Sequence, residues 1–230
     1  MGRKYEDCEI RMTPAAIIFD FDGVIADSEV RANLSLAESL TAVGMPTTYD
    51  ECLRDYHGHN WQETQRRIEA RFGRALPADF RETHRTRARA RFMEGFDAVP
   101  GAPAFLDTLG STPRAIASSS RAEYIDWALG LFGLRHHFGE HIYSADGWDR
   151  GKPHPDIYFA AAKGLGVDPA QCLVIEDSPI GVRAGLAAGM TVVGFCGASH
   201  IVDRPAHGEV LRSTGVHHLA FAFDEISIMG

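Results

Sequence analysis

The stretch Ile17-Ile18-Phe19-Asp20-Phe21-Asp22-Gly23-Val24-Ile25-Ala26-Asp27-Ser28-Glu29 decides the fold of this chain. Ala15 to Phe19 reads as a short strand, apolar on both faces, as strands of a covered parallel sheet are. Asp20 and Asp22 follow at its C-terminal end, the edge at which open α/β sheets bind ligands. On an extended chain, residues at i and i+2 point the same way. Two carboxylates side by side repel each other and are costly to bury. A divalent cation relieves that cost, and oxygen ligands suit Mg²⁺. A D-x-D-G run by itself also fits an ordinary solvated turn, so the rest of the chain has to decide.

The chain has 230 residues with 23 Lys/Arg against 31 Asp/Glu, a net charge of -8. That balance argues against nucleic acid as a partner. The charge is uneven. Ser28 to Ala98 holds eleven basic and eleven acidic residues, and the remainder carries the whole excess. No apolar run approaches the roughly 20 residues of a membrane span. Met1 to Arg11 has no apolar core of a signal peptide, so a cytoplasmic location is expected. Cys8, Cys52, Cys172 and Cys196 are scattered and suggest neither zinc nor a disulfide framework. Cys172 opens an apolar run and is expected in the core.

Asp27 or Ser28 can cap a helix that runs to about Val43, where Gly44 and Pro46 end it. From there to Glu94 nothing reads as a strand. Asn60 can cap a helix over Trp61 to Phe72, and Pro77 can sit in the first turn of another reaching about Glu94. Residues 30–98 are therefore read as an all-α cap domain inserted into a body made of residues 12–29 and 99–230. In that body, strands at Arg114 to Ser118, His141 to Ser144, Cys172 to Ile175 and Thr191 to Phe195 alternate with helices. That alternation implies an α/β, doubly wound parallel sheet. Cys196 to Gly215 reads mostly as loop, and His218 to Ile228 is ambiguous.

Three more chemically suggestive stretches lie at or just beyond strand ends. Ala117-Ser118-Ser119-Ser120 precedes a helix start, where hydroxyl and N–H groups favour an anion. Gly151-Lys152-Pro153-His154-Pro155-Asp156 sets a lysine between a glycine and a proline, so it arrives with less entropy to lose. Val174-Ile175-Glu176-Asp177-Ser178 ends a buried strand in two acids. Taken singly, the serines and Asp177 also fit helix caps.

Together the four stretches, in this order and around a helical insert, resemble the four motifs of the haloacid dehalogenase-like (HAD) hydrolase superfamily. The insert lies between the first and second, as in the helical-cap subclass that holds β-phosphoglucomutase-like and sugar-phosphate phosphatase members. The resemblance covers Ala15 to about Phe195 and implies a Rossmann-like core. It implies that Asp20 is the nucleophile, Asp22 the general acid and base, and Lys152 the catalytic cation. Ser118, the Ser119 amide and the tight turn at Gly23 bind the substrate phosphate. Mg²⁺ is held by Asp20, the Asp22 backbone carbonyl and Asp177, with Glu176 binding it or orienting its water.

The function so implied is a Mg²⁺-dependent phosphatase for a small phosphorylated metabolite, a sugar phosphate or phosphorylated sugar acid. The alternative is a β-phosphoglucomutase-like phosphomutase. Its histidine after the first loop is matched here by Ala32, which favours the phosphatase. A non-catalytic binding relative is disfavoured because the key acids and Lys152 are present. The partner is a small phosphate ester, with no nucleic acid and no membrane, and the chain is read as a monomer or weak homodimer. Substrate choice is expected from the cap, from His57, His59, Asn60 and Trp61 in one loop and from Arg31. The run Arg85, Arg87, Arg89, Arg91 reads as solvated helix faces. The histidines, including His200 and His207, show no metal-ligand spacing.

Overall fold

The computed structural model describes residues 8–10, 13–56, 59, 61–93, 95 and 97–228. A short strand β1 (Cys8–Ile10) precedes β2 (Ala16–Phe19), which carries the first motif. Helices α1 (Glu29–Ala42), α2 (Tyr49–Tyr56), α3 (Trp61–Phe72) and α4 (Phe80–Met93) follow. Next come α5 (Ala102–Thr108), β3 (Arg114–Ser118), α6 (Ala122–Phe132), β4 (Ile142–Ser144) and α7 (Asp156–Leu165). The chain continues through β5 (Cys172–Glu176), α8 (Pro179–Ala187), β6 (Thr191–Phe195), α9 (Arg204–Arg212), β7 (His218–Ala220) and β8 (Ile226–Ile228).

Six strands form one parallel sheet in the order β4-β3-β2-β5-β6-β7. The chain steps outward from β2 to β4, then returns to β5 on the other side of β2. The reversal between β2 and β5 opens a crevice at their C-terminal ends, where ligands bind in such folds. β1 and β8 make a separate parallel pair.

Alternation explains why both faces are covered. Ile17 and Phe19 of β2, with Leu173 and Ile175 of β5, face a core closed by Phe105, Ile125 and Leu129 of α5 and α6. Ala16 and Ile18, with Cys172 and Val174, face a second core closed by Tyr158, Ala161 and Val182 of α7 and α8. A parallel strand buried on both sides reads as a continuous apolar run, as this one does.

Helices α1 to α4 share a third apolar core that includes Leu36, Leu40, Cys52, Tyr56, Ile68 and Phe80. The chain enters and leaves this helical segment side by side. The Val99 amide donates to the Ile25 carbonyl (2.9 Å), and the Asp27 amide to the Asp97 carbonyl (3.1 Å).

The structure departs from the sequence reading in several places. Helix α2 was not expected. Its start is a reciprocal cap, in which the Glu51 carboxylate accepts from the Thr48 amide (2.8 Å) and Thr48 Oγ1 from the Glu51 amide (3.2 Å). Only Cys52 and Tyr56 of α2 are buried, so its apolar signal is weak. Helix α4 starts at Phe80, later than Pro77 suggested. The segment read as loop between Cys196 and Gly215 contains α9. Asp203 caps it by accepting from the Ala206 amide (3.0 Å), Pro205 sits in the first turn, and Leu211 packs into the core beside β6. The proposed cap at Asn60 lies outside the described residues. Cys172 is buried as expected, a free thiol like Cys52 and Cys196.

Three near-parallel rings cluster in the helical segment, their centroids at the corners of a triangle. Trp61 lies parallel to Phe80 (6.1 Å) and to His84 (6.1 Å), and Phe80 to His84 (6.0 Å). Arg81 sits over the Trp61 ring at 5.8 Å. Burial, with the charge of Arg87, pulls the His84 pKa from the ordinary 6.5 down to about 4. His84 is therefore buried neutral, and between those values the unfolded chain binds the extra proton. The resulting stability is full above pH 6.5 and is lost as pH falls toward 4, a penalty of about 3 kcal/mol. Urea denaturation of wild type and His84→Gln across pH 4 to 7 should show the wild type losing that much more.

Candidate active site

The register of β2 against β5 sets the centre of the site. Phe19 lies opposite Ile175, and the Asp20 amide donates to the Ile175 carbonyl at 3.0 Å. Asp20 therefore stands beside Glu176 and Asp177 at the sheet edge. Carboxylate oxygens of these three residues all lie within 4.8 Å of one another, and all three are buried. Lys152 reaches in from the loop before α7, and its Nζ donates to Asp20 Oδ1 (2.7 Å) and Glu176 Oε1 (2.6 Å).

Glu176 is committed on both oxygens. Tyr158 Oη also donates to Oε1 (3.1 Å), while the Ser178 amide (3.0 Å) and Oγ (3.1 Å) donate to Oε2. Room for this carboxylate comes from Gly181 in the first turn of α8, where a Cβ would fall 1.5 Å from Glu176 Oε1. Asp177 is approached by two histidines, His200 Nε2 at 3.5 Å from Oδ2 and His207 Nε2 at 2.6 Å from its carbonyl. Gly23, at φ +82°, lies against it, and a Cβ there would sit 1.9 Å from Asp177 Oδ2.

Asp22 does not share this cluster. Past the end of β2 at Phe19 it lines the same cavity as Asp20, as the i, i+2 rule expected, but its carboxylate has its own partners. The Asp22 carboxylate instead receives hydroxyls from Ser28 (2.5 Å), Ser120 (2.5 Å) and Tyr124 (3.3 Å). Ser28 therefore serves Asp22 and makes no side-chain cap for α1, contrary to the expected cap. Tyr124 is itself clamped edge-on against Phe21 (5.8 Å) and tilted against Phe92 of α4 (5.7 Å).

The two aspartates sit in different fields. Burial and the Glu176 charge push the Asp20 pKa up to about 7 against the pull of Lys152. Burial and the Glu29 charge push Asp22 up to about 6, opposed by the three hydroxyls. Burial disfavours the Lys152 charge, but Asp20 and Glu176 outweigh it and hold that pKa well above the usual range. Three clustered carboxylates facing one lysine leave negative charge that a divalent cation would neutralise. The all-oxygen donor set suits a hard ion. With Glu176 committed to Lys152, Tyr158 and Ser178, Asp20 and Asp177 are the carboxylates best placed to hold it.

Ser118 ends β3 at the same edge, and its Oγ accepts from the Ser120 amide at 3.0 Å. Ser118, Ser119 and Ser120 line a cavity of about 760 Å³ between the sheet edge and the helical segment. His59, Trp61 and Ala32 also line it. His57 and Asn60 lie outside the described residues. Arg31 does not reach the cavity; its Nη1 donates to the Arg91 carbonyl of α4 at 3.1 Å, so the expectation for it is corrected. The arginine run is corrected too. Arg85 and Arg89 line the cavity, while Arg87 bonds Ser39 Oγ (3.1 Å) and Arg91 pairs with Glu38, both on α1.

Sequence reading also missed the residues that serve Asp22, Glu176 and Asp177 from elsewhere in the fold. Ser28 adjoins the first motif and Ser120 the second, so both were within reach of a closer reading. Tyr124, Tyr158, His200 and His207 carried no local signal.

A family model described as haloacid dehalogenase-like hydrolase matches residues 17–195. The chain is 26% identical over 206 residues to 6-phosphogluconate phosphatase of Escherichia coli strain K12, across 89% of this chain and 92% of that protein. It is 33% identical over 179 residues to hexitol phosphatase A of the same organism, across 76% and 80%. A crystal structure of a conserved haloacid dehalogenase-like protein from Agrobacterium tumefaciens aligns with a TM-score of 0.79 at 34% identity, covering 92% and 95%.

Removing the lysine isolates buried carboxylates. Lys152→Met should lose about 3–5 kcal/mol of stability in urea denaturation at pH 7, the cost of breaking a buried ion pair from one side. Gly23→Ala should lose about 1–3 kcal/mol from its left-handed φ, and more if Asp177 cannot yield to the methyl. Denaturation midpoints of the two variants check both values.

Proposed function

Because this chain belongs to the haloacid dehalogenase-like hydrolases, we propose that it hydrolyses a small phosphorylated metabolite of the sugar-phosphate class with a divalent cation, Mg²⁺, in attendance. It is a phosphoric monoester hydrolase. The observation that carries the reading is the buried set Asp20, Glu176, Asp177 and Lys152, with Asp22 held apart on three hydroxyls.

Asp20 attacks phosphorus and forms an aspartyl-phosphate as the P–O bond to the alcohol breaks. Asp22 gives its proton to the departing oxygen. It then takes one from the water that cleaves the intermediate. A carboxyl pushed up to about 6 exchanges a proton near neutral pH far more readily than one at ~3.9. Asp20, Asp177 and the Asp22 backbone carbonyl would hold a divalent cation, which would supply positive charge to offset that of the transferring phosphoryl group. Lys152 adds a second charge there, and Ser118 Oγ with the Ser119 amide orients the phosphate. Glu176 fixes Lys152 and is a positioning residue.

Residues 30–98 act as a cap that shields the reaction from water and reads the alcohol. His59 and Trp61 are its reading residues. Among the relatives, those named for 6-phosphogluconate and hexitol substrates support the sugar-phosphate class. The phosphomutase alternative lacks a base at Ala32, which presents only a methyl to the cavity.

The test is phosphate release from a panel of sugar phosphates with Mg²⁺. Asp20→Asn should cut kcat at least ~10³-fold, as loss of a nucleophile does, and EDTA should abolish turnover. Full activity in the variant, or indifference to EDTA, refutes the mechanism. Conversion of a sugar 1-phosphate to a 6-phosphate without phosphate release would select the mutase.

A further inference from the structure

Helix α4 turns one stripe toward the cavity. Arg81, His84, Arg85, Ala88, Arg89 and Phe92 all line it, at the i, i+3, i+4, i+7, i+8, i+11 spacing of a single helix face. Three arginines on that stripe need an explanation, because guanidinium groups beside an apolar wall are not neutral filling. The charges beyond the stripe sort them. Arg81 donates to Asp146 Oδ1 (3.2 Å), and Arg121, at the start of α6, reaches Asp146 Oδ2 (3.2 Å). One core carboxylate thus answers both of those cations.

Arg85 and Arg89 remain. Among the described residues Arg85 meets only Glu82 (3.1 Å), a pair on its own helix whose acid is 76% exposed and so contributes little. Arg89 has no hydrogen bond or ion pair to any described residue. Two guanidinium groups one turn apart therefore line the cavity that also holds Asp20 and Ser118, which meet the phosphate in the reading above. Gln62, lining the same cavity, offers a neutral donor and acceptor, while the Asn33 amide nitrogen is engaged by Glu29 (2.8 and 2.9 Å).

We propose that Arg85 and Arg89 form an anion subsite, so that the substrate is a phosphate ester whose far end carries a second anionic group, a carboxylate or a phosphate. Guanidinium forks match both groups with paired hydrogen bonds. The inference rests on the phosphatase reading for the end of the substrate that reacts. The subsite itself is a property of α4. Polyhydroxy chains suit the polar middle of the cavity, and the aromatic wall of Trp61 suits their C–H faces.

The experiment compares three substrates on one six-carbon chain: glucitol 6-phosphate, gluconate 6-phosphate and glucitol 1,6-bisphosphate. Their far ends are neutral, carboxylate and phosphate. The wild type should favour at least one anionic tail over the neutral one by about 10- to 100-fold in kcat/KM, the worth of one or two charged hydrogen bonds. The double variant Arg85→Gln/Arg89→Gln should bring that ratio close to 1. The tail whose advantage collapses identifies the source of the charge. A wild type with no preference for either anionic tail overturns the proposal. So does a double variant that lowers all three substrates alike, which is the signature of a damaged cap.

Binding is read separately, so that failure of the hydrolysis reading does not blur the result. All three tryptophans of the chain, Trp61, Trp127 and Trp148, line the cavity, and their fluorescence reports occupancy. Titration of the Asp20→Asn protein with the same three compounds should show the same order of affinity, lost in the Asp20→Asn/Arg85→Gln/Arg89→Gln protein. If none of the esters is hydrolysed but this order holds, the subsite stands and the phosphatase reading falls. If the order is absent, the subsite falls whatever the activity.

Discussion

Everything near the sheet edge follows from forcing three carboxylates into one buried place. Parallel pairing of β2 with β5 brings Asp20, Glu176 and Asp177 together, with carboxylate oxygens within 4.8 Å of one another. Such a cluster is tolerable only with compensating positive charge. Lys152 supplies one unit between Asp20 and Glu176. Tyr158, the Ser178 amide and the Ser178 hydroxyl absorb what remains of Glu176. The glycines belong to the same problem, since Gly23 and Gly181 leave the volume that the Asp177 and Glu176 carboxylates fill. The negative charge left over is of the kind that a divalent cation neutralises.

The contrast between Asp20 and Asp22 shows how one short loop yields two chemistries. Asp20 is buried and Asp22 partly buried, and one faces an ammonium while the other faces hydroxyls. The cause is geometric. The strand ends one residue before Asp20, and in the loop that follows the two carboxylates line one cavity with different partners. Environments of this kind are what set acid and base apart from nucleophile in a single site.

Helix α4 links that centre to the helical segment. One of its faces is tied to α1 through Arg87 and Arg91, and another lines the cavity with Arg81, Arg85 and Arg89. Its Phe92 packs against Tyr124, which in turn donates to Asp22. The α4 wall of the cavity is thus joined through Tyr124 to the Asp22 carboxylate.

The sequence alone determined the alternation of strands and helices, the helical segment between β2 and β3, and the four stretches at strand ends. Each is a local property: a run of apolar residues, a glycine or proline at a boundary, an acid at a strand terminus. Helix α2 and helix α9 were legible only through their caps, Thr48 with Glu51 and Asp203 with Pro205, because their buried faces are narrow. Tertiary structure decided what local pattern cannot carry. It placed Tyr124, Tyr158, His200 and His207 beside acids that lie far away in sequence. It turned Arg31 onto a backbone carbonyl and brought Arg85 and Arg89 to the cavity. A side chain's neighbours across the fold are fixed by strand register and helix rotation, and these exist only once the chain has packed.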